Sequence, residues 1–142
     1  MFNFFKKKPV TLSEYLQMLV RNPNIKFQID IYRDNQVDFQ ITRQRLLKKL
    51  NVEVADPKGF GFLLTFNFEK DNNEKNFERF KNSDLYNKSI EIELLGRTFV
   101  IRCKNDVEEV TTILNKIQTQ VYNYNDDTIY RFAYTRHGNG SN

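Results

Sequence analysis

The chain has 142 residues, a formal net charge of +4 at pH 7 and 39% hydrophobic residues, which is the size and composition of one globular domain. It contains one histidine, His137, and one cysteine, Cys103, and most enzyme classes are disfavoured because their acid–base and nucleophilic groups commonly come from these residues. A lone cysteine excludes an intramolecular disulfide, and no apolar run is long enough to cross a membrane, so we expect a cytoplasmic protein. The sequence has no glycine-rich phosphate loop and no second histidine or cysteine to complete a metal site, so we expect no cofactor.

The N-terminal part of the sequence predicts a short flexible segment followed by a helix. Residues 1–10 combine phenylalanines with three consecutive lysines, and we expect them to be a flexible basic and aromatic N-terminus. Thr11 and Glu14 have the spacing of a capping box, and apolar residues follow at helical intervals. The pattern predicts a helix over 11–21, which ends before Asn22-Pro23 because proline restricts the residue that precedes it.

Alternating apolar and polar residues then predict a hairpin, with strands at 25–32 and 37–42 and a loop of three to five residues between them. Residues 43–50 have the pattern of a short basic helix. Every second residue is large and apolar over 60–69, which predicts a strand, and 71–80 has the pattern of another short helix.

A second hairpin is predicted over 89–103, with Gly96-Arg97 at the centre of a type II′ turn. This turn fixes a register in which Ile92 faces Ile101 and Glu91 faces Arg102. The apolar side chains would then share one face of the hairpin, and a salt bridge would lie on the other.

The last predicted elements are a long helix and a strand. Asn105 or Asp106 caps a helix whose apolar residues recur at steps of three and four up to Val121. Residues 128–136 alternate again and predict a strand. We expect 11–136 to form a single domain and 137–142 to be a disordered tail.

The element order is therefore α-β-β-α-β-α-β-β-α-β, which predicts an α+β fold. We expect two layers: an antiparallel sheet of about five to six strands, with helices on one face. The opposite face of the sheet would be polar and charged. It is the first candidate for a binding surface.

Two groups of residues are candidate binding sites. The first group would contact a partner protein and combines the aromatic C-terminal strand with charged residues of the second hairpin, since tyrosine is enriched at interfaces: Tyr130, Phe132, Tyr134, Glu91, Glu93 and Arg102. The second group would contact an anionic partner, such as nucleic acid, and is the densest basic cluster in a predicted element: Arg43, Arg45, Lys48 and Lys49. For the basic cluster a solvated helix face is favoured over nucleic-acid binding, because a run of charge without a motif is weak evidence of such binding. For the aromatic residues, ordinary core packing explains the pattern as well as an interface does.

Without the basic helix and the last strand, the order over residues 11–122 resembles that of type III secretion chaperones, which implies a homodimer that binds an extended protein segment. In size and polar character the chain is also similar to small bacterial immunity proteins, which implies that it blocks a toxin by covering its surface. Neither resemblance depends on a diagnostic motif.

These observations favour a non-enzymatic protein-binding module of the immunity or inhibitor kind. A chaperone-like homodimer and a binder of nucleic acid or of an anionic surface are the alternatives.

Overall fold

The computed structural model describes residues 9–43, 59–68, 73–92 and 97–137. In this part of the chain three helices accompany a six-stranded antiparallel sheet, so the α+β prediction is confirmed. The helices are α1 (Leu12–Arg21), α2 (Glu74–Asn82) and α3 (Val107–Lys116). The strands are β1 (Lys26–Arg33), β2 (Gln36–Arg43), β3 (Phe62–Asn67), β4 (Ser89–Ile92), β5 (Thr98–Cys103) and β6 (Arg131–His137).

The local signals in the sequence set the helix starts. The Thr11 hydroxyl accepts a hydrogen bond from the Glu14 backbone N–H at 3.1 Å, and Glu14 accepts one from the Thr11 N–H at 3.0 Å, which completes the capping box. Asp106 caps α3 by accepting from the Glu109 N–H. The α-helix ends at Lys116, and a π-helical turn over Ile117–Val121 continues it to the predicted end.

The strand order across the sheet is β4-β5-β3-β2-β1-β6. β1 is therefore an internal strand, and β6 lies beside it at the edge of the sheet in the described part of the chain. One sheet face and the three helices together bury a core rich in phenylalanine. Its members include Leu16, Phe27, Phe39, Phe66, Phe80, Ile101, Val110 and Leu114.

The first hairpin has a tighter turn than the sequence predicts. Asp34 and Asn35 form a two-residue turn with φ of 52° and 64°, so the predicted loop of three to five residues is wrong. These angles are typical of a type I′ turn, which matches the twist of the strands. The strand pairing shifts between Ile31 and Tyr32, and this bulge takes Asp38 out of the polar alternation and buries it.

The predicted register of the second hairpin is also wrong. Ile92 pairs with Thr98 and Ile90 with Val100, so Glu91 lies opposite Phe99 and not opposite Arg102. The two isoleucines therefore join Leu63 and Val100 in a small apolar cluster outside the main core. The sheet face that the sequence predicts to be polar is apolar at this end.

Two further predictions concern the ends of segments. His137 is the last residue of β6, where it pairs with Lys26, and is not part of a tail. Of the predicted basic helix, Arg43 belongs to β2, whereas 44–50 lie outside the described residues. Residues 1–8 and 138–142 also lie outside them.

Candidate functional site

The two edges of the sheet differ in length. Among the described residues β4 has four residues at one edge, whereas β6 has seven at the other. All seven residues of β6 pair with β1 in one continuous register without a bulge. Within the described ranges no strand pairs with the other side of β6. We call β6 together with the preceding Ile129 and Tyr130 the β6 edge.

A buried polar network fixes the segment that leads from α3 to the β6 edge. The Tyr122 hydroxyl donates to the Asp38 carbonyl at 2.6 Å, and the Tyr124 hydroxyl donates to the Asp38 carboxylate at 2.7 Å. Arg33 forms an ion pair with the same carboxylate at 3.2 Å and donates to the Tyr122 carbonyl at 2.8 Å. The bulge in β2 thus provides the acceptors that hold the chain as it crosses to β6.

Burial sets the protonation of this network. It raises the pKa of both tyrosine hydroxyls well above the usual value near 10, so they remain donors. Burial also raises the pKa of the Asp38 carboxyl, while the hydrogen bond from Tyr124 and the charge of Arg33 act in the opposite direction. These groups are hydrogen-bonded to one another inside the protein, and we assign them a structural role.

A shallow pocket of about 310 Å³ lies where the β6 edge meets the tip of the first hairpin. Its lining consists of Tyr32, Asp34, Asn35, Ile129, Tyr130 and Arg131. Ile129 is 85% exposed and Tyr130 is 38% exposed, so both side chains present apolar surface to solvent. Arg131 lies over the Tyr32 ring at 5.5 Å and donates to Asn35 at 3.3 Å. We call this depression the edge pocket.

The other aromatic residues predicted to bind a partner mainly attach the strand to the core. Phe132 and Tyr134 are half-buried, and both pack against Tyr15 of α1, with ring centroids 5.6 Å and 4.5 Å from it. Burial raises the pKa of the Tyr134 hydroxyl. Of the three predicted aromatic residues, Tyr130 is therefore the one that lines the edge pocket.

The structure does not bring the charged members of that predicted group to the same place. Glu91 is exposed on β4, and Arg102 is half-buried on the adjacent β5, whereas Glu93 lies outside the described residues. Five strand spacings separate β4 from β6, which is about 24 Å at about 4.8 Å for each spacing. One compact surface cannot include both edges.

The predicted anionic-partner group is also divided. Arg43 is 0% exposed, and its guanidinium donates to the carbonyls of Leu19 at 2.7 Å and Ile25 at 3.0 Å. It also donates to the side chain of Asn105 at 3.1 Å. The Arg43 side chain is therefore not on a surface that a partner reaches. Arg45, Lys48 and Lys49 lie outside the described residues.

Of the residues that line the edge pocket, the sequence predicted only Tyr130 as a binding residue and missed Tyr32, Asp34, Asn35, Ile129 and Arg131. One signal in the sequence could have indicated this pocket. Ile129 is apolar, but the alternation over 128–136 places it on the face opposite Tyr130, Phe132 and Tyr134, where the polar residues lie. Tyr32 and Asn35 reach the pocket only because β1 lies next to β6, and the local sequence does not specify that pairing.

Other features of the described residues are less suited to binding. A larger groove of about 610 Å³ lies between β5 and the start of α3, but Asp106 and Glu109, which line it, already accept backbone hydrogen bonds there. Burial raises the pKa of the Cys103 thiol to about 12, so it is not a nucleophile at neutral pH. Of the described side chains, no three from His, Cys, Asp and Glu are grouped as metal ligands would be. Neither is any helix in these ranges both long and apolar enough to cross a bilayer.

No protein-family model matches the chain, and no curated protein and no solved structure matches it. Conclusions about its function therefore depend on the geometry and charge of the β6 edge.

Proposed function

We propose that this chain is a binding module for another protein and that the β6 edge is its contact surface. The observation that carries the proposal is the long strand β6, whose outer side pairs with no strand in the described ranges, beside exposed apolar side chains. Proteins commonly protect an edge strand by making it short, by bending it with a bulge, or by placing charge or proline on it. The seven residues of β6 pair without a bulge and include no proline, and its charged residues Arg131 and Arg136 flank an uncharged centre over 132–135.

The edge pocket gives the surface a specific anchor. An isoleucine side chain that is 85% exposed gains about 1.5–3 kcal/mol when a partner buries it completely. The network of Arg33, Asp38, Tyr122 and Tyr124 holds the segment before Ile129, so binding does not have to order that part of the chain.

Binding at this edge would act by occlusion. The surface that a partner places along β6 is covered and can no longer contact other molecules. Immunity and inhibitor proteins block their targets in this way. We place this action in the cytoplasm, since a single cysteine suits a reducing compartment. No catalytic step is part of the proposal.

Affinity capture from the native host tests the proposal. We expect the wild-type chain to retain a specific protein and Ile129→Ser to lose it. Val10→Ser is the matched control, because Val10 is 75% exposed and lies on the segment before α1. Both substitutions replace an exposed aliphatic side chain and should change the free energy of unfolding by less than about 0.5 kcal/mol. Failure to recover any specific protein, or equal retention by both variants, would contradict the proposal.

A further inference from the structure

We propose that the partner adds an extended segment to β6 as a further strand, and that this segment carries acidic side chains opposite Arg131 and Arg136. The inference rests on the proposed function and specifies its partner. It predicts a recognisable sequence in that partner: two acidic residues five positions apart, with uncharged strand-forming residues between them.

The backbone of β6 supplies the hydrogen-bonding groups. In an antiparallel pair, alternate residues direct their N–H and C=O groups toward the neighbour, and the other residues direct theirs away from it. Since β1 pairs with all seven residues of β6 without a bulge, the outward groups form a regular row about 23 Å long. An extended segment of similar length can pair with this row throughout.

The side chains of β6 determine the charge of the segment that fits. Residues 128–137 include Arg131 and Arg136 and contain no aspartate or glutamate. Both arginines are exposed, and they flank the uncharged residues 132–135. Because they lie five positions apart on a strand, they project from opposite faces of the sheet. A partner strand with carboxylates at the same spacing meets one arginine on each face.

The acidic residue nearest the centre of the strand does not cancel this charge pattern. Asp30 lies opposite Ala133 on β1, and its carboxylate accepts hydrogen bonds from Gln28 at 2.9 Å and Gln40 at 2.8 Å. Gln28 belongs to β1 itself and Gln40 to β2, so the carboxylate is already hydrogen-bonded on the side of the sheet away from β6.

A second copy of this chain fits the edge less well than an acidic partner. Residues 128–137 of such a copy contain no aspartate or glutamate that could meet Arg131 or Arg136. The same positions favour a partner with two carboxylates.

The edge pocket extends the recognition beyond the strand itself. It adjoins Arg131, and its lining combines the apolar surfaces of Tyr32, Ile129 and Tyr130 with the polar side chains of Asp34 and Asn35. An apolar side chain placed next to the acidic residue that meets Arg131 would enter this pocket.

Peptide binding to the full chain tests the charge assignment. The probe is acetyl-Ser-Glu-Thr-Val-Thr-Val-Glu-Ser-amide, and its control has lysine in place of both glutamates. We expect the wild-type chain to bind the acidic peptide at least tenfold more tightly, and Arg131→Glu/Arg136→Glu to prefer the lysine peptide. The control variant Lys75→Glu/Lys104→Glu makes the same change in net charge at exposed residues of α2 and of the loop after β5, and should keep the wild-type preference. Equal affinity for the two peptides, or a preference that the arginine substitutions leave unchanged, would overturn the inference.

Backbone pairing is tested with two versions of the acidic peptide that carry N-methyl groups on alternate residues. Strand addition uses only every second N–H, so we expect one version to bind at least tenfold more weakly than the other. Equal binding of the two would show that the peptide does not add as a strand. A dimer of the chain that the peptide dissociates would identify a second copy as the natural occupant, and would also overturn the inference.

These outcomes are separate from those of the proposed function. Capture of a specific protein that depends on Ile129, together with no preference for the acidic peptide, would leave the proposed function standing and refute only the acidic strand.

Discussion

Arg43 provides the most direct test of how the tertiary structure is stabilised. Its guanidinium is fully buried and donates hydrogen bonds to the end of α1, to the residue before β1 and to Phe60, two residues before β3. It also lies over the rings of Phe27 and Phe62, at 5.2 Å and 4.9 Å. Arg43→Met keeps most of the aliphatic stem but removes every one of these donors.

The magnitude follows from what the substitution leaves behind. The carbonyls of Leu19, Asn22, Ile25 and Phe60 and the amide oxygen of Asn105 all lose a donor from Arg43. A buried acceptor that is left without its donor costs about 1–3 kcal/mol, and several acceptors lose a donor here. The total stability of a domain is about 5–15 kcal/mol, so Arg43→Met should remove a large fraction of it.

Urea unfolding followed by circular dichroism measures the effect. We expect the midpoint for Arg43→Met to fall by about 2 M, given a slope of about 1–3 kcal/mol per molar urea. Arg21→Met is the matched control, since Arg21 is exposed at the end of α1, and it should change stability by less than about 0.5 kcal/mol. If the two variants unfolded at the same urea concentration, the hydrogen bonds of Arg43 would not stabilise the fold.

Three further predictions concern other buried or strained positions. Cys103 is buried and its pKa is raised to about 12, so a thiol reagent should label it only when urea unfolds the chain; rapid labelling under native conditions would contradict this. Above pH 10 the unfolded chain loses the phenolic protons of Tyr122 and Tyr124, while the folded chain keeps them. For each of these two groups the unfolding equilibrium constant should therefore rise roughly tenfold per pH unit, which lowers the stability. Tyr122→Phe should make this alkaline loss shallower, and an unchanged slope would mean that Tyr122 does not contribute. Asn35 has a φ of 64°, so Asn35→Ala should cost about 1–2 kcal/mol and Asn35→Gly should cost less, as thermal unfolding would show; equal costs would argue against the type I′ turn.

The sequence by itself determined the elements whose signals are local. The capping residues Thr11 and Asp106 begin α1 and α3, and the steps of three and four place Val110, Leu114 and Ile117 in the core. These features depend on side chains within one helical turn of each other, so a short stretch of chain contains all the information needed.

Only the tertiary structure decided the register of the second hairpin. Phe99, Val100 and Ile101 are consecutive apolar residues that are all buried, so both faces of β5 are covered and alternation does not choose between registers. The choice depends on Leu63 of the neighbouring strand, which gives Ile90 and Ile92 an apolar contact outside the main core.

The structure likewise decided the roles of Arg43 and β6. In the sequence Arg43 belongs to a basic cluster that predicts an exposed helix face. In the fold it is buried, and backbone carbonyls from three separate segments accept its hydrogen bonds. The sequence predicts a strand at 128–136, but only its pairing with β1 makes it the outermost strand among those the structure describes and brings Tyr32 and Asn35 beside Ile129. These contacts join residues that are far apart in the chain. They stabilise the protein only when the loops between those residues have closed, so no short stretch of sequence specifies them.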